Sequence, residues 1–263
     1  NETSNMGFRW FKKRHKITDL TLGSEYDESQ IEQILKGYKL KYKKFNDENQ
    51  LIDFVARYLS RGGIIGWFQG RMEFGPRALG ARSILSAPYP KLMKDKVNKI
   101  KGREEFRPFA GSVLREKVHE YFEVPERNLS SPFMTFCFQV REQRKKYLDA
   151  IVHQDGTSRI QTVSRENGKY YKLIKRFGNI TGRYCILNTS FNLRGEPIVE
   201  SPREAIEDFL KTEMDYLVLE NYLVNESKIM QKAAAPINPE KMKKLILSMN
   251  FFNFLFCHSM LKI

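Results

Sequence analysis

Between residues 47 and 68 the sequence DENQLIDFVARYLSRGGIIGWF sets an amphipathic helix, a glycine stop and an unbroken apolar run end to end. Leu51, Ile52, Phe54, Val55, Tyr58 and Leu59 recur at helical spacing, and Gly62-Gly63 ends the helix. IIGWFQ then reads as a buried strand. A helix with one apolar stripe, followed at once by a strand with no polar face, needs helices packed on a sheet.

The rest of the chain extends this pattern. DESQIEQILKGY is helical, with Asp27 or Ser29 as N-cap and Gly37 near the stop, and PKLMKDKVNKIK and REKVHEYFE are two further helices. NGKYYKLIKRFGNITG is helical as far as Gly182. SPREAIEDFLKTE has the best-marked helix start: Ser201 as N-cap, Pro202 at the first position and Glu204 closing a capping box. Strands are expected at SILSA, around FAGSVL, at SPFMTFCFQV and RYCILNTS, with one or two in DYLVLENYLV. The connections are too irregular for strict βαβ repetition, so the expectation is a twisted mixed α/β sheet over residues 25–226. Residues 1–24 read as a tail or interdomain remnant, and residues 227–263 as a C-terminal extension with helical potential.

In that extension, LILSMNFFNFLFCHSML lies in a stretch with no charged side chain between Lys244 and Lys262. Its length is at the lower limit of about 17 residues for crossing a bilayer, and Asn250, Asn253 and His258 weigh against crossing. The chain of 263 residues carries a net charge of +14, with 41% hydrophobic and 13% aromatic residues. That composition supports a real core, and the charge calls for anionic partners: nucleic acid, phosphorylated small molecules or an anionic surface. Cys137, Cys185 and Cys257 lie in apolar surroundings and are expected to be buried reduced thiols. No apolar signal core opens the sequence, and a cytoplasmic location is expected. The four histidines and three cysteines show no metal-ligand spacing.

Four segments combine a Gly- or Pro-broken loop, an adjacent strand and groups that bind oxyanions. QGRMEFGPRALGARS contains Arg71, Arg77 and Arg82, the last read as structural because it begins the next strand. KIKGREEFRPFAGS contains Lys101, Arg103 and Arg107; HQDGTSRIQTV contains His153, Asp155, Thr157, Arg159 and Gln161; LNTSFNLRGEP contains Asn188, Ser190, Asn192 and Arg194. Guanidinium groups grip phosphate or carboxylate bidentately, and glycines let a ligand approach the backbone. Ser190 has no histidine nearby in sequence and is not read as a nucleophile.

These same segments, with SPFMTFCFQV and the run from ILNTSFN to NYLV, resemble the C-terminal domain of the carbamoyltransferase family that includes nodulation protein U and antibiotic O-carbamoyltransferases, from about Leu22 to Val224. The resemblance implies a YrdC-like twisted mixed β-sheet flanked by helices. It implies that ATP and carbamoyl phosphate, with Mg2+, form carbamoyl adenylate here, and that an actin-like domain on the N-terminal side, or a separate chain carrying it, passes the carbamoyl group to an acceptor hydroxyl. Lys101, Arg107 and Arg77 are similar to the family's phosphate-binding, catalytic cations, and Arg159 to the arginine after the Asp-Gly-Thr turn. Ser190 and Asn192, with Asn188 beside them, resemble the family's nucleotide motif; Ala81 and Gly111 depart from many relatives. Arg71, Arg103, His153 and Arg194 complete the expected binding set, with no resident metal ligand. Neither nucleic acid nor a membrane is an expected partner. The competing reading is a YrdC-like RNA-binding module without catalysis, although aromatic residues do not alternate with the cations as RNA stacking requires.

Overall fold

The computed structural model describes residues 17–225. The helices are α1 (Glu28–Gly37), α2 (Glu48–Ser60), α3 (Leu92–Ile100), α4 (Val118–Tyr121), α5 (Gly168–Thr181) and α6 (Pro202–Leu210). The strands are β1 (Tyr42–Lys44), β2 (Ile64–Phe68), β3 (Arg82–Ser86), β4 (Ala110–Leu114), β5 (Cys137–Gln139), β6 (Thr157–Val163), β7 (Cys185–Ser190), β8 (Tyr216–Leu219) and β9 (Tyr222–Asn225). They form one sheet in the order β1-β9-β8-β2-β3-β7-β4-β6-β5. The β2–β8 and β4–β6 pairs are parallel and the others antiparallel, which makes this a mixed α/β sheet flanked by helices.

Local chemistry fixes the element ends as the sequence leads one to expect. The Asp27 carboxylate accepts from the Gln30 N–H at the start of α1, and Ser201 and Glu204 close a capping box on α6 behind Pro202. Gly182 ends α5 at φ +73, the left-handed conformation glycine adopts without a Cβ penalty. The apolar faces of α2 and α5 then pack on one face of the sheet: Leu51, Val55, Leu59, Leu173, Ile174 and Phe177 cluster with Ile65, Trp67, Leu85, Leu114, Val163 and Ile186. Each fully buried side chain of this size contributes about 1.5–3 kcal/mol, so this layer is the main stabiliser of the region that carries the site.

Four expectations need correction. The strand expected across SPFMTFCFQV shrinks to Cys137–Gln139, because Pro132 lacks a donor and the upstream stretch touches β6 irregularly, through the Ser131 and Phe136 carbonyls. Cys137 is consequently exposed on the outermost strand, whereas Cys185 is buried. REKVHEYFE yields a single 3-10 turn (Arg115–Lys117) and the short α4, after which Phe122 turns extended to bridge Val140. Thr157–Val163, taken as a loop, is a seven-residue strand. Among the described residues no helix is long and apolar enough to cross a membrane. The C-terminal extension and Cys257 lie outside the described residues.

Candidate functional site

Side chains alternate across a strand, so the face that is apolar beneath α2 and α5 can be followed outward along each strand. On β3 it continues from Leu85 to Ser83, on β7 from Ile186 to Asn188 and Ser190, on β4 from Leu114 to Ser112, and on β6 from Val163 to Gln161 and Arg159. Strand register aligns Leu85, Asn188, Ala110, Arg159 and Cys137 in one row across five strands. The face therefore changes from hydrocarbon to hydrogen-bonding groups within one or two residues of each strand. Ser112 Oγ donates to Gln161 Oε1 at 2.7 Å, and Asn188 Nδ2 donates to Ser112 Oγ at 3.0 Å.

Over this polar patch lies the arginine loop, residues 75–81, and side chains of the sheet and its flanks hold its backbone. Asn188 donates to the Ala78 carbonyl at 3.1 Å, Gln161 to the Leu79 carbonyl at 2.7 Å and Trp67 Nε1 to the Gly80 carbonyl at 3.0 Å. One carboxylate oxygen of Glu73 accepts the amides of Leu79, Ala81 and Arg82 at 2.6, 3.2 and 3.2 Å. Arg82, fully buried as its strand position suggested, donates to the carbonyls of Gln69, Gly70, Ala81, Ser24 and Glu200, and its guanidinium stacks 3.4 Å above the Phe68 ring. Leu20–Ser24 runs alongside: Gly23 N–H donates to the Met72 carbonyl and Met72 N–H to that of Ser24, both at 2.9 Å. Gly80 has φ +108, and a Cβ there would stand 2.4 Å from the Tyr170 ring. Gly80→Ala is expected to cost about 2–4 kcal/mol from strain and overpacking, measured as a lowered urea midpoint with an unchanged m-value.

Around this scaffold the cations gather. Lys101 follows α3 and is only 4% exposed. Its ammonium donates to the Ser190 carbonyl at 2.5 Å, the Asn192 carbonyl at 2.9 Å and Asn192 Oδ1 at 2.8 Å, which fixes the turn after β7. Ser190 Oγ donates to Asn192 Oδ1 at 2.7 Å within the same turn. Burial, with the Arg103 charge adding to it, pushes the Lys101 ammonium down to about 7. Arg103 stacks on Phe109 at 4.3 Å and donates to Asn98; burial first, then the charges of Arg107 and Arg159, lower it to about 10. Burial and the Arg77 charge depress Arg159 in turn. Arg103 thus acts on Lys101, Arg107 and Arg159 act on Arg103, and Arg77 acts on Arg159, while the Glu104 carboxylate lies 2.8 Å from Arg107 Nε and 3.4 Å from Arg194 Nη2.

Lys101, Arg103, Arg107, Arg159, Arg77, Ser190, Asn192 and Arg194 therefore belong to one cluster. The other candidates lie apart or are engaged. Asn188 is 1% exposed and holds the arginine loop, and Arg71 donates outward to the Leu22 carbonyl at 3.2 Å. His153 Nε2 lies 3.2 Å from the Phe109 carbonyl, bracing the entry to β4. A cavity of about 760 Å³ is lined by Arg71, Leu79–Ala81, Arg115 and Lys169 and by none of the clustered arginines; the cluster is defined by mutual electrostatics and not by enclosure. Sequence reasoning passed over Glu73 and Glu104. Glu73 did carry a signal, as the one acid in an otherwise cationic segment.

Some solved structures overlap this fold in part. HypF in its phosphate- and nucleotide-bound form aligns with 68% of this chain and 22% of its own, at TM-score 0.47 and 20% identity. P. abyssi Sua5 complexed with L-threonine aligns with 66% of this chain and 48% of its own, at TM-score 0.47 and 16% identity. Curated sequences are nearer. The uncharacterized Synechocystis protein sll1178 is 42% identical over 248 residues, nodulation protein NolNO of Sinorhizobium fredii 47% over 197, and the 3'-hydroxymethylcephem-O-carbamoyltransferase of Amycolatopsis lactamdurans 36% over 149. These matches take in 85%, 74% and 56% of this chain, and 40%, 28% and 28% of the respective relatives, so the chain spans well under half the length of each. Residues 56–226 match the family described as Carbamoyltransferase C-terminus, and the chain belongs to that family.

Proposed function

We propose that this domain binds ATP and carbamoyl phosphate at the cation cluster and forms carbamoyl adenylate, which an actin-like domain on the N-terminal side, or a separate chain carrying it, then delivers to an acceptor hydroxyl. The observation that carries the reading is the gathering of Arg77, Lys101, Arg103, Arg107 and Arg159 around one polar sheet face. In the overall reaction carbamoyl phosphate, ATP and water give carbamoyl adenylate, pyrophosphate and phosphate. A carbamate oxygen attacks the α-phosphorus and pyrophosphate leaves. The chief barrier is the mutual repulsion of the reacting anions, and fixed cations lower it while holding an in-line approach.

Among the described residues no three His, Cys, Asp or Glu side chains gather as a metal site, and Glu104 is engaged by arginines. Mg2+ would accompany the nucleotide phosphates and offset their charge. The test is pyrophosphate exchange into ATP, dependent on carbamoyl phosphate and Mg2+, alongside calorimetry with ATP. The expected result is exchange that Arg77→Ala reduces by about 10²-fold or more, the usual scale for removing one group that stabilises transition-state charge. Absence of both ATP binding and exchange overturns the reading for this chain.

A further inference from the structure

The cluster poses an electrostatic problem before any ligand arrives. Arg77 and Arg159 are close enough that the charge of the first depresses the second, and neither guanidinium makes a hydrogen bond among the described residues. Arg77 is exposed on its loop, so repulsion favours its swinging away. Little of the loop is free to let it. Phe74 N–H donates to the Leu20 carbonyl at 2.6 Å, and from Leu79 to Ala81 every backbone N–H and C=O has a partner. Only Gly75, Pro76 and Arg77 itself lie between Phe74 and the first anchored carbonyl, that of Ala78.

Three of the anchoring bonds converge on one atom. Glu73 is 1% exposed, and its Oε1 accepts the amides of Leu79, Ala81 and Arg82, while its Oε2 is buried without a hydrogen bond and the buried Arg82 charge acts on it from beyond ion-pair contact. Hydrogen bonds to a buried carboxylate are stronger than neutral ones, so this is the firmest attachment of the loop. We propose that Glu73 is a positioning residue that holds Arg77 in the cation cluster against the repulsion of Arg159, keeping the loop in its anion-receiving geometry before ligand binds. The proposal rests on reading the cluster as an anion site.

The test combines calorimetry with inorganic pyrophosphate and amide hydrogen exchange. Glu73→Ala is expected to weaken pyrophosphate binding about tenfold, as Arg77→Ala does, and the double variant to bind no worse than Arg77→Ala alone, because the two act through one contact. Glu73→Gln, whose amide oxygen still accepts the three N–H groups, restores most of the affinity. In Glu73→Ala the amides of Leu79, Ala81 and Arg82 exchange faster while those of Leu173 and Ile174 in α5 do not. Adding Arg159→Ala slows the loop amides again, a rescue that a merely structural glutamate would not show. Additive losses in the double variant, or loop exchange indifferent to Arg159, overturn the proposal. If Glu73→Ala does not fold, Glu73→Asp, whose shorter side chain withdraws the carboxylate from the three amides, supplies the same comparison with and without Arg159→Ala. Wild-type protein that ignores pyrophosphate defeats the anion-site reading, whereas the exchange arm still decides whether Glu73 works against Arg159.

Discussion

Arg82→Leu is expected to unfold the domain or leave it barely stable, with a loss on the order of 5 kcal/mol read from urea denaturation. The guanidinium is fully buried and donates to five backbone carbonyls: those of Ser24, of Gln69 and Gly70 just after β2, of Ala81 in the arginine loop, and of Glu200 on the approach to α6. Leucine fills part of the volume but leaves the Gln69, Gly70 and Glu200 carbonyls unpaired in a dry environment, at about 1–3 kcal/mol each before relaxation, while the Ser24 and Ala81 carbonyls keep the amides of Met72 and Gln69. It also removes the positive charge facing Glu73, Glu220 and Glu200. Since whole domains are stable by only about 5–15 kcal/mol, this one side chain decides whether the fold persists. Arg82→Lys keeps the charge and loses both the fork and the stacking on Phe68, so it should fall between the two. A leucine variant that melts within a few degrees of wild type would show that the carbonyls find other partners.

The second large effect is at Lys101. Lys101→Met is expected to abolish measurable carbamoyl-phosphate-dependent pyrophosphate exchange, because the ammonium both contributes charge and fixes Ser190 and Asn192. Its titration gives a sharper signature. An ammonium pushed down to about 7 is charged below that pH and neutral above it. Anion binding favours the charged form, so pyrophosphate affinity in the wild type should fall as pH rises from 6 to 8.5, with proton uptake on binding at the upper end. Folding stability should move the other way. The unfolded lysine keeps its proton to about 10.4, so the unfolded chain binds more protons above pH 7 and stability rises with pH across that window. Opposite slopes for affinity and stability, both flattened in Lys101→Met, would identify Lys101. Parallel slopes, or slopes unchanged in the variant, would assign the titration to another group.

Helix boundaries were legible because their signals are local. Asp27, the Ser201–Glu204 box and Gly182 act within one turn, and the apolar stripe of α2 shows its packing face directly. β6 was hidden for a physical reason. Its site-facing positions include Arg159 and Gln161, which make a strand look like a polar loop when the sheet face they serve is itself polar. The cations of the site could be found from residue type and loop chemistry, but not their division of labour. No local pattern reveals that Lys101 is 4% exposed, or that Asn188 spends its amide on a loop carbonyl, because both depend on segments brought together from distant parts of the chain. Charge was the weakest guide. A little over half of the +14 excess sits in Arg9, Lys12, Lys13, Arg14, Lys16, Lys228, Lys232, Lys241, Lys243, Lys244 and Lys262, outside the described domain, against Glu2, Glu226 and Glu240. A whole-chain value therefore says little about the site.

The sheet order has a consequence for how the chain reaches this fold. The β8–β9 hairpin, residues 216–225, is inserted between β1 and β2 and pairs in parallel with β2, about 150 positions earlier in the chain. Until that hairpin has been synthesised, β1 lacks its strand partner and one edge of the apolar strand β2 is bare. The ladder between them closes last, so folding awaits the end of the domain, and a chain stopped before Tyr216 would present β2 as an open edge ready to pair with other molecules.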